Sequence, residues 1–224
     1  TAEITGNSRG VENANVILNG TQNTIASQSI YSIILNGFDN ELVKGEATTV
    51  VGHQNETHDA NFSLVVGRYN KSLNVDYSVN SGYTNTISSS DYSGILAGGD
   101  NVLKNGEYSI IAGGQDNHIE STAAYNGIFG GENNHIGGTL TDAFIIGSNI
   151  SASLSNTTFV ENLAIPATKK LFLDGGSNTY LQESSDGVID VYGDNVHLIS
   201  FKQNGTQSEV VVNEGSGDVD FNMI

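Results

Sequence analysis

The chain has no cysteine, no tryptophan, one proline and only 8 Lys plus Arg in 224 residues. Without cysteine there are no disulfides and no thiolate-held metals. Eight cations against 25 Asp plus Glu give a formal net charge of −17 at pH 7. Phosphate-rich partners need clustered cations, so neither nucleic acid nor an anionic membrane surface is an expected partner. No run of about 18 apolar residues is present, so no membrane insertion is expected. The first ten residues are polar and lack the apolar core of a signal peptide. Nor does any stretch of about 12 residues repeat apolar side chains at i, i+3, i+4 and i+7, the signature of an amphipathic helix. What the chain does have is 27 Gly and a wealth of Asn, Ser, Thr and β-branched residues, with only 15% charged. That composition favours strands and turns.

A repeat organises the first two thirds. Ile110-Ile111-Ala112-Gly113-Gly114-Gln115-Asp116-Asn117-His118-Ile119 matches Ile128-Phe129-Gly130-Gly131-Glu132-Asn133-Asn134-His135-Ile136 and, earlier, Ile33-Ile34-Leu35-Asn36-Gly37-Phe38-Asp39-Asn40-Glu41-Leu42. The pattern aligns on Gly20, Gly37, Gly52, Gly67, Gly82, Gly98, Gly114, Gly131 and Gly147, spaced 15 to 17 apart. Three residues later stand Asn23, Asn40, Asn55, Asn70, Asn85, Asn101, Asn117 and Asn134, and the ninth copy has Asn149 at +2 instead. The +5 position is apolar in Ile25, Leu42, Ile87, Leu103, Ile119 and Ile136, but Thr57 or Ser72 in two copies. Five or six residues before the glycine comes an aromatic: Tyr31, Phe62, Tyr77, Tyr92, Tyr108 or Tyr125. Ser32, Ser63, Ser78, Ser93 and Ser109 follow it, with Asn126 in the last case.

A unit this short cannot bury its own apolar face, so it stacks on its neighbours as a solenoid. The expected fold is all-β: a parallel β-roll or β-helix of about nine coils over residues 1–150, with two strands per coil. At the strand spacing of about 4.8 Å it rises roughly 40 Å. The glycines supply corners with positive φ, and the asparagines stack into a hydrogen-bonded ladder. Ile33-Ile34, Val50-Val51, Val65-Val66, Ile95-Leu96, Ile110-Ile111 and Ile145-Ile146 put apolar side chains on both faces of one strand. A strand apolar on both faces is covered on both, and the simplest cover is an identical chain about a shared axis, a homotrimer.

After residue 150 the period stops. Residues 151–168 read as a connector. Residues 169–224 read as hairpins: short alternating strands divided by Asp174-Gly175-Gly176, Asp186-Gly187, Gly193-Asp194-Asn195, Asn204-Gly205 and Gly215-Ser216-Gly217, with a last strand over 218–224. About 55 residues is a small core for a lone domain, and shared burial in a trimer resolves that.

Leu171-Phe172-Leu173-Asp174-Gly175-Gly176-Ser177-Asn178-Thr179-Tyr180-Leu181-Gln182-Glu183-Ser184-Ser185 resembles a segment recurrent in phage tail fibres. So does Val210-Val211-Val212-Asn213-Glu214-Gly215-Ser216-Gly217-Asp218-Val219-Asp220-Phe221. In that family such segments precede a C-terminal intramolecular chaperone that is cleaved off after trimer assembly. Asn156-Thr157-Thr158-Phe159-Val160-Glu161-Asn162-Leu163 resembles a connector of phage-like proteins of Bacteroidetes context. The coils are similar to the β-roll heads of trimeric autotransporter adhesins, which read Ser-Val-Ala-Ile-Gly, but are longer and carry the additional Gly-x-x-Asn turn. The resemblance implies a homotrimeric fibre of the virion, facing outward, that attaches to a host glycan or protein. Alternatives are a bacterial trimeric surface adhesin and a polysaccharide depolymerase tailspike.

No catalytic residue is assigned, and the chain is expected not to be an enzyme. Asp100, Asp116 and Glu132 recur near the turn, but carboxylate-pair hydrolysis needs a groove, and no insertion large enough to build one interrupts the repeats. His118 and His135 share a register, and exposed turn residues account for them better than a metal pair. No cofactor is assigned. Ca²⁺ at acidic turns stays open, although the Gly-Gly-x-Gly-x-Asp spacing of calcium-binding rolls is absent. The aromatic column reads as buried between copies rather than as an exposed sugar-binding stripe. No residue can be assigned to receptor binding.

Overall fold

The structure, a computed structural model, describes residues 8–9, 14–26, 28–122, 124–205 and 207–212. The expected last strand over 218–224 lies outside these residues, as does the fibre-like stretch beyond Val212. All regular structure among the described residues is β, with no helix. The chain divides into two compact units, Thr1–Asn162 and Leu163–Ile224.

The first unit is a solenoid of about ten turns built on two parallel sheets. One has nine strands, from Ser8–Arg9 to His135–Gly138, and the other has ten, from Val16–Thr21 to Thr157–Val160. Each coil gives one strand to each sheet, so equivalent residues sit one above another: Ile34 on Val50 on Val65 in one sheet, Ile87 on Leu103 on Ile119 in the other. The coil lengths of 15 to 17 residues thus fit a flattened, two-strand turn. The core is the layer between the sheets. Ile17, Ile34, Val50, Val65, Ile95, Ile111, Ile128 and Ile145 meet Ile25, Leu42, Ile87, Leu103, Ile119 and Ile136, all buried. At about 25 cal/mol per Å² of buried apolar surface, this column is the main source of stability.

The core is interrupted once. Thr57, Ser72 and Asn80 occupy inward positions in adjacent coils and are at most 1% exposed. Asn80 Nδ2 donates to Lys71 O (2.8 Å) and Ser72 Oγ (3.1 Å), while Thr57 Oγ1 and Asn80 Oδ1 find no protein partner. This polar layer separates an apolar cluster containing Ile17, Leu42 and Val65 from one running from Ala60 to Ile145.

The solenoid continues past the boundary expected at residue 150. Thr157–Val160 pairs in parallel with Ala143–Ile146, Phe159 beside Ile145, so half of the expected connector is a further coil. The second unit is a five-stranded antiparallel sheet, from Lys170–Phe172 to Gln207–Val212, with bulges at Ser184 and near Tyr192.

Candidate interaction surfaces

The glycine and asparagine columns form one corner of the solenoid. Each ladder Asn is buried. From Asn23 to Asn117, its Oδ1 accepts the backbone N–H of the next ladder Asn at 2.9–3.2 Å. Asn134 ends the column by accepting from Ile150 N. Each Nδ2 donates to the carbonyl of the next repeat glycine at 2.7–3.1 Å. The side-chain amide thus substitutes for the strand ladder where the backbone turns. The glycines are fixed by close approach as well as by φ: a Cβ on Gly82 (φ +117) lies 2.2 Å from Gly98 O. Gly37, whose φ is not positive, is fixed by Asn40 Nδ2, 2.1 Å from where a Cβ would stand. The serines after the aromatic position make a second ladder, seen where Ser109 N donates to Ser93 Oγ and Asn126 N to Ser109 Oγ.

The two sheets differ on their outer faces. In the ten-stranded sheet the inward residues are Ile17, Ile34, Val50, Val65, Asn80, Ile95, Ile111, Ile128, Ile145 and Phe159, and the residues on either side of each point outward. Of these twenty outward positions none is charged or His, and fifteen are Val, Leu, Ile, Phe or Ala. Leu18, Leu96, Phe129 and Ile146 are each about half exposed. The corresponding sixteen positions flanking Ile25, Leu42, Thr57, Ser72, Ile87, Leu103, Ile119 and Ile136 in the nine-stranded sheet include eight that are charged or His, among them Glu41, Glu56, Lys71, Lys104, His118 and Glu120. In a chain of net charge −17, one face has been kept free of charge over its whole length.

An aromatic column borders that face. Phe62, Tyr77, Tyr92, Tyr108 and Tyr125 stack ring on ring, with centroids 4.9–5.1 Å apart and planes within 13° of parallel. Each is 46–53% exposed in the isolated chain. Crowding by its neighbours, then the adjacent Tyr77 and Tyr108 phenols and the Asp91 and Asp76 carboxylates, push the Tyr92 phenol above its usual pKa. All five, and Tyr31, have φ between +51 and +65. Left-handed backbone costs an ordinary residue about 1–2 kcal/mol, so five rings cost roughly 5–10 kcal/mol. Four stacked pairs at about 0.5–1.5 kcal/mol return roughly 2–6. Stacking alone therefore does not account for aromatics at this corner. It also hides the ring faces, the surfaces on which sugars stack, and presents edges and hydroxyls.

Across the uncharged face lies the other border. There Phe38 stacks on His53 (4.9 Å), while His53 and Tyr69, then Tyr69 and Tyr83, meet edge-on. Arg68 lies 4.5 Å over the Tyr69 ring and donates to its hydroxyl at 2.8 Å. In later coils this border becomes polar: Gly99, Gln115 and Glu132 continue one column, and Asp100, Asp116 and Asn133 take the left-handed corner beside it. Asp100 and Asp116 are therefore aligned, with Glu132 one column over. His118 and His135 stand side by side on the outside of the nine-stranded sheet. Among the described residues no three His, Asp or Glu side chains converge on a possible metal position.

In the tail sheet, Lys170, Tyr180, Gln182, Asp190, Tyr192 and Ser200 share one face. Lys170 Nζ lies 3.6 Å from the Tyr180 ring centroid, and Tyr180 stacks on Tyr192. Ser200 donates to Asp190 Oδ1, and His197 Nε2 lies 2.9 Å from Ser200 Oγ and 3.3 Å from Asp190 Oδ1. Burial of the Asp190 carboxyl raises its pKa, but hydrogen bonds from Ser184 and Ser200 and the proximity of His197 outweigh burial and leave it lowered. A nucleophilic relay places the hydroxyl on one imidazole nitrogen and the carboxylate on the other. Here both contacts converge on Nε2 and Ser200 is buried, so the cluster is a structural tie. The opposite face carries Leu171, Leu181, Val191, Ile199 and Val212 in one row and Ile189, Phe201 and Val210 in the next, the last three half-exposed or more. The sequence matches no protein-family model and no curated protein.

Proposed function

We propose that the chain is a structural and host-attachment segment of a phage tail fibre, without catalytic activity, assembled as a homotrimer with the uncharged faces of three solenoids turned toward a shared axis. The carrying observation is the outer face of the ten-stranded sheet, twenty positions without a charge. Ten strands give nine steps of about 4.8 Å, and a width of roughly six residues at about 3.3 Å makes that face on the order of 900 Å², comparable to the ~800 Å² each partner buries in a standard interface. A second copy fits such a surface because its acidic groups lie elsewhere, so repulsion between two polyanions does not oppose contact there. The tail supports the same reading: among the described residues of the second unit, a single sheet with one apolar face has no second layer of its own to bury it. The fibre assignment itself rests on the likeness of residues 171–185 and 210–221 to tail-fibre segments.

The test is mass in solution by light scattering, which is expected near three times 23.6 kDa. Leu96→Glu and Phe129→Glu, each placing a charge on the face, are expected to give folded monomer with an unchanged circular dichroism spectrum. A wild-type chain that remains monomeric across the micromolar range overturns the assembly, and release of reducing sugars from host capsule overturns the non-catalytic part.

A further inference from the structure

This inference rests on the homotrimer proposed above. We propose that adjacent copies meet corner to corner, the aromatic column of one chain docking on the glycine and asparagine corner of the next at the same coil level.

Three corner columns per coil adopt left-handed backbone. One is built from Asp39, Gln54, Asp100, Asp116 and Asn133 among others, a second from Lys44, Asp59, Asn74, Ser89 and Asn105, and the third is the aromatic one. Only the third is predominantly aromatic, and it borders the uncharged face. A closed ring of identical chains needs a heterologous contact in which one border of the face meets the opposite border of the neighbour. Copies about a common axis are level with one another, so each coil meets the same coil.

In four coils the two borders are then complementary. Tyr92, Tyr108 and Tyr125 carry phenol donors, and the opposite border of their own coils carries Asp100, Asp116 and Glu132, all acceptors. Tyr31 has Asp39 at the same level. Two rungs of the column carry no hydroxyl, Ala47 and Phe62, and their coils have His53-Gln54 and Arg68-Tyr69 at the opposite border, where no carboxylate waits; Tyr77, level with Tyr83 and Thr84, is the one phenol rung without a carboxylate opposite. Ring stacking leaves edges and hydroxyls outward, which suits contact with a neighbouring chain.

The absence of cysteine makes the test direct. Tyr108→Cys and Gln115→Cys are introduced together and singly, and the full-length chain is oxidised with copper phenanthroline. Within one chain these residues flank the same strand, seven apart, roughly 20 Å at full extension, well beyond the less than about 7 Å between Cα atoms that a disulfide spans. The double variant is expected to yield covalent dimer and trimer on a non-reducing denaturing gel, and neither single variant does. Separately, Tyr108→Phe, which keeps the ring, is expected to raise the trimer dissociation constant about tenfold. Cross-linking by Tyr108→Cys alone shows like-to-like contact and overturns the proposal. A trimeric mass with no cross-link in the double variant overturns the corner pairing while leaving the trimer intact. A monomeric mass removes both.

Discussion

Replacing Asn101 by Ala tests the asparagine ladder at its centre. Three side-chain bonds are lost: Oδ1 from Asn117 N (3.0 Å), and Nδ2 to Gly114 O (3.0 Å) and to Asn85 Oδ1 (3.1 Å). Two of the acceptors keep another partner, since Gly114 O still receives Gly99 N and Asn85 Oδ1 still receives Asn101 N. The amide of Asn117 loses the acceptor it has. A buried donor left unmet costs about 1–3 kcal/mol, and the two bonds that are lost but compensated add about 0.5–1 each, so the expected loss is roughly 2–5 kcal/mol. Urea unfolding of the full chain measures it, with Glu120→Ala, exposed on the outer strand, as a control expected within about 0.5 kcal/mol of wild type. Hydrogen exchange locates the effect: Asn117 N–H is expected to exchange about 10- to 100-fold faster while coils three or more away are unchanged. Asn101→Asp adds a sign. It keeps the acceptor but sets a buried carboxylate against Asn85 Oδ1 and Gly114 O, so its pKa rises and its destabilisation grows as pH climbs above about 4. A Glu120-sized loss for Asn101→Ala, with Asn117 still protected, refutes the role given to the ladder.

Gly98→Ala puts a Cβ 2.0 Å from Gly114 O at φ +92 and is expected to cost more than about 4 kcal/mol, whereas Gly130→Ala, at φ +112 with nothing within 4 Å, costs only the backbone strain of about 1–3. Equal thermal shifts for the two contradict the close-approach argument. In the tail, the lowered Asp190 pKa contributes stability that is present above its unfolded value of about 3.9 and is lost as pH falls through the folded value. Wild-type amide protection over residues 180–203 is therefore expected to decline below about pH 4. Asp190→Asn should lack that dependence, and identical acid profiles refute it.

Much of the solenoid was legible because stacking forces equivalent residues into columns, and a column is visible as a repeat. Ile25, Leu42 and Ile87 announce the core through a constant offset from glycine. The corners were less legible. Positive φ is expected of glycine, yet Tyr92, Asp100 and Asn105 all adopt it, held by hydrogen bonds to the preceding coil such as Tyr92 N to Asp76 O, a constraint no local sequence carries. The tenth strand was missed because the coil after Gly147 moves its asparagine to +2 and ends in Thr157–Val160, whose only repeat signal is Phe159 in the inward column. Paired apolar residues such as Ile95-Leu96 pointed to a two-sided strand, and the structure turns Ile95 inward and Leu96 outward. That the whole outer face is free of charge required the register.

The polar layer of Thr57, Ser72 and Asn80 bears on how the chain finds its alignment. Coils of nearly equal length and nearly identical cores can stack one repeat out of step at little energetic cost, since an Ile column displaced by one coil still meets Ile. Such a chain risks many near-degenerate native-like states. A polar layer marks one place in that column, because a mis-stacked coil that parts residues 71 and 72 from residue 80 loses the Asn80 bonds to Lys71 O and Ser72 Oγ, in the way that one buried polar residue fixes the register of a coiled coil. The layer sacrifices apolar contact in three successive coils, at Thr57, Ser72 and Asn80, and in return gives an otherwise uniform column a fixed point of reference.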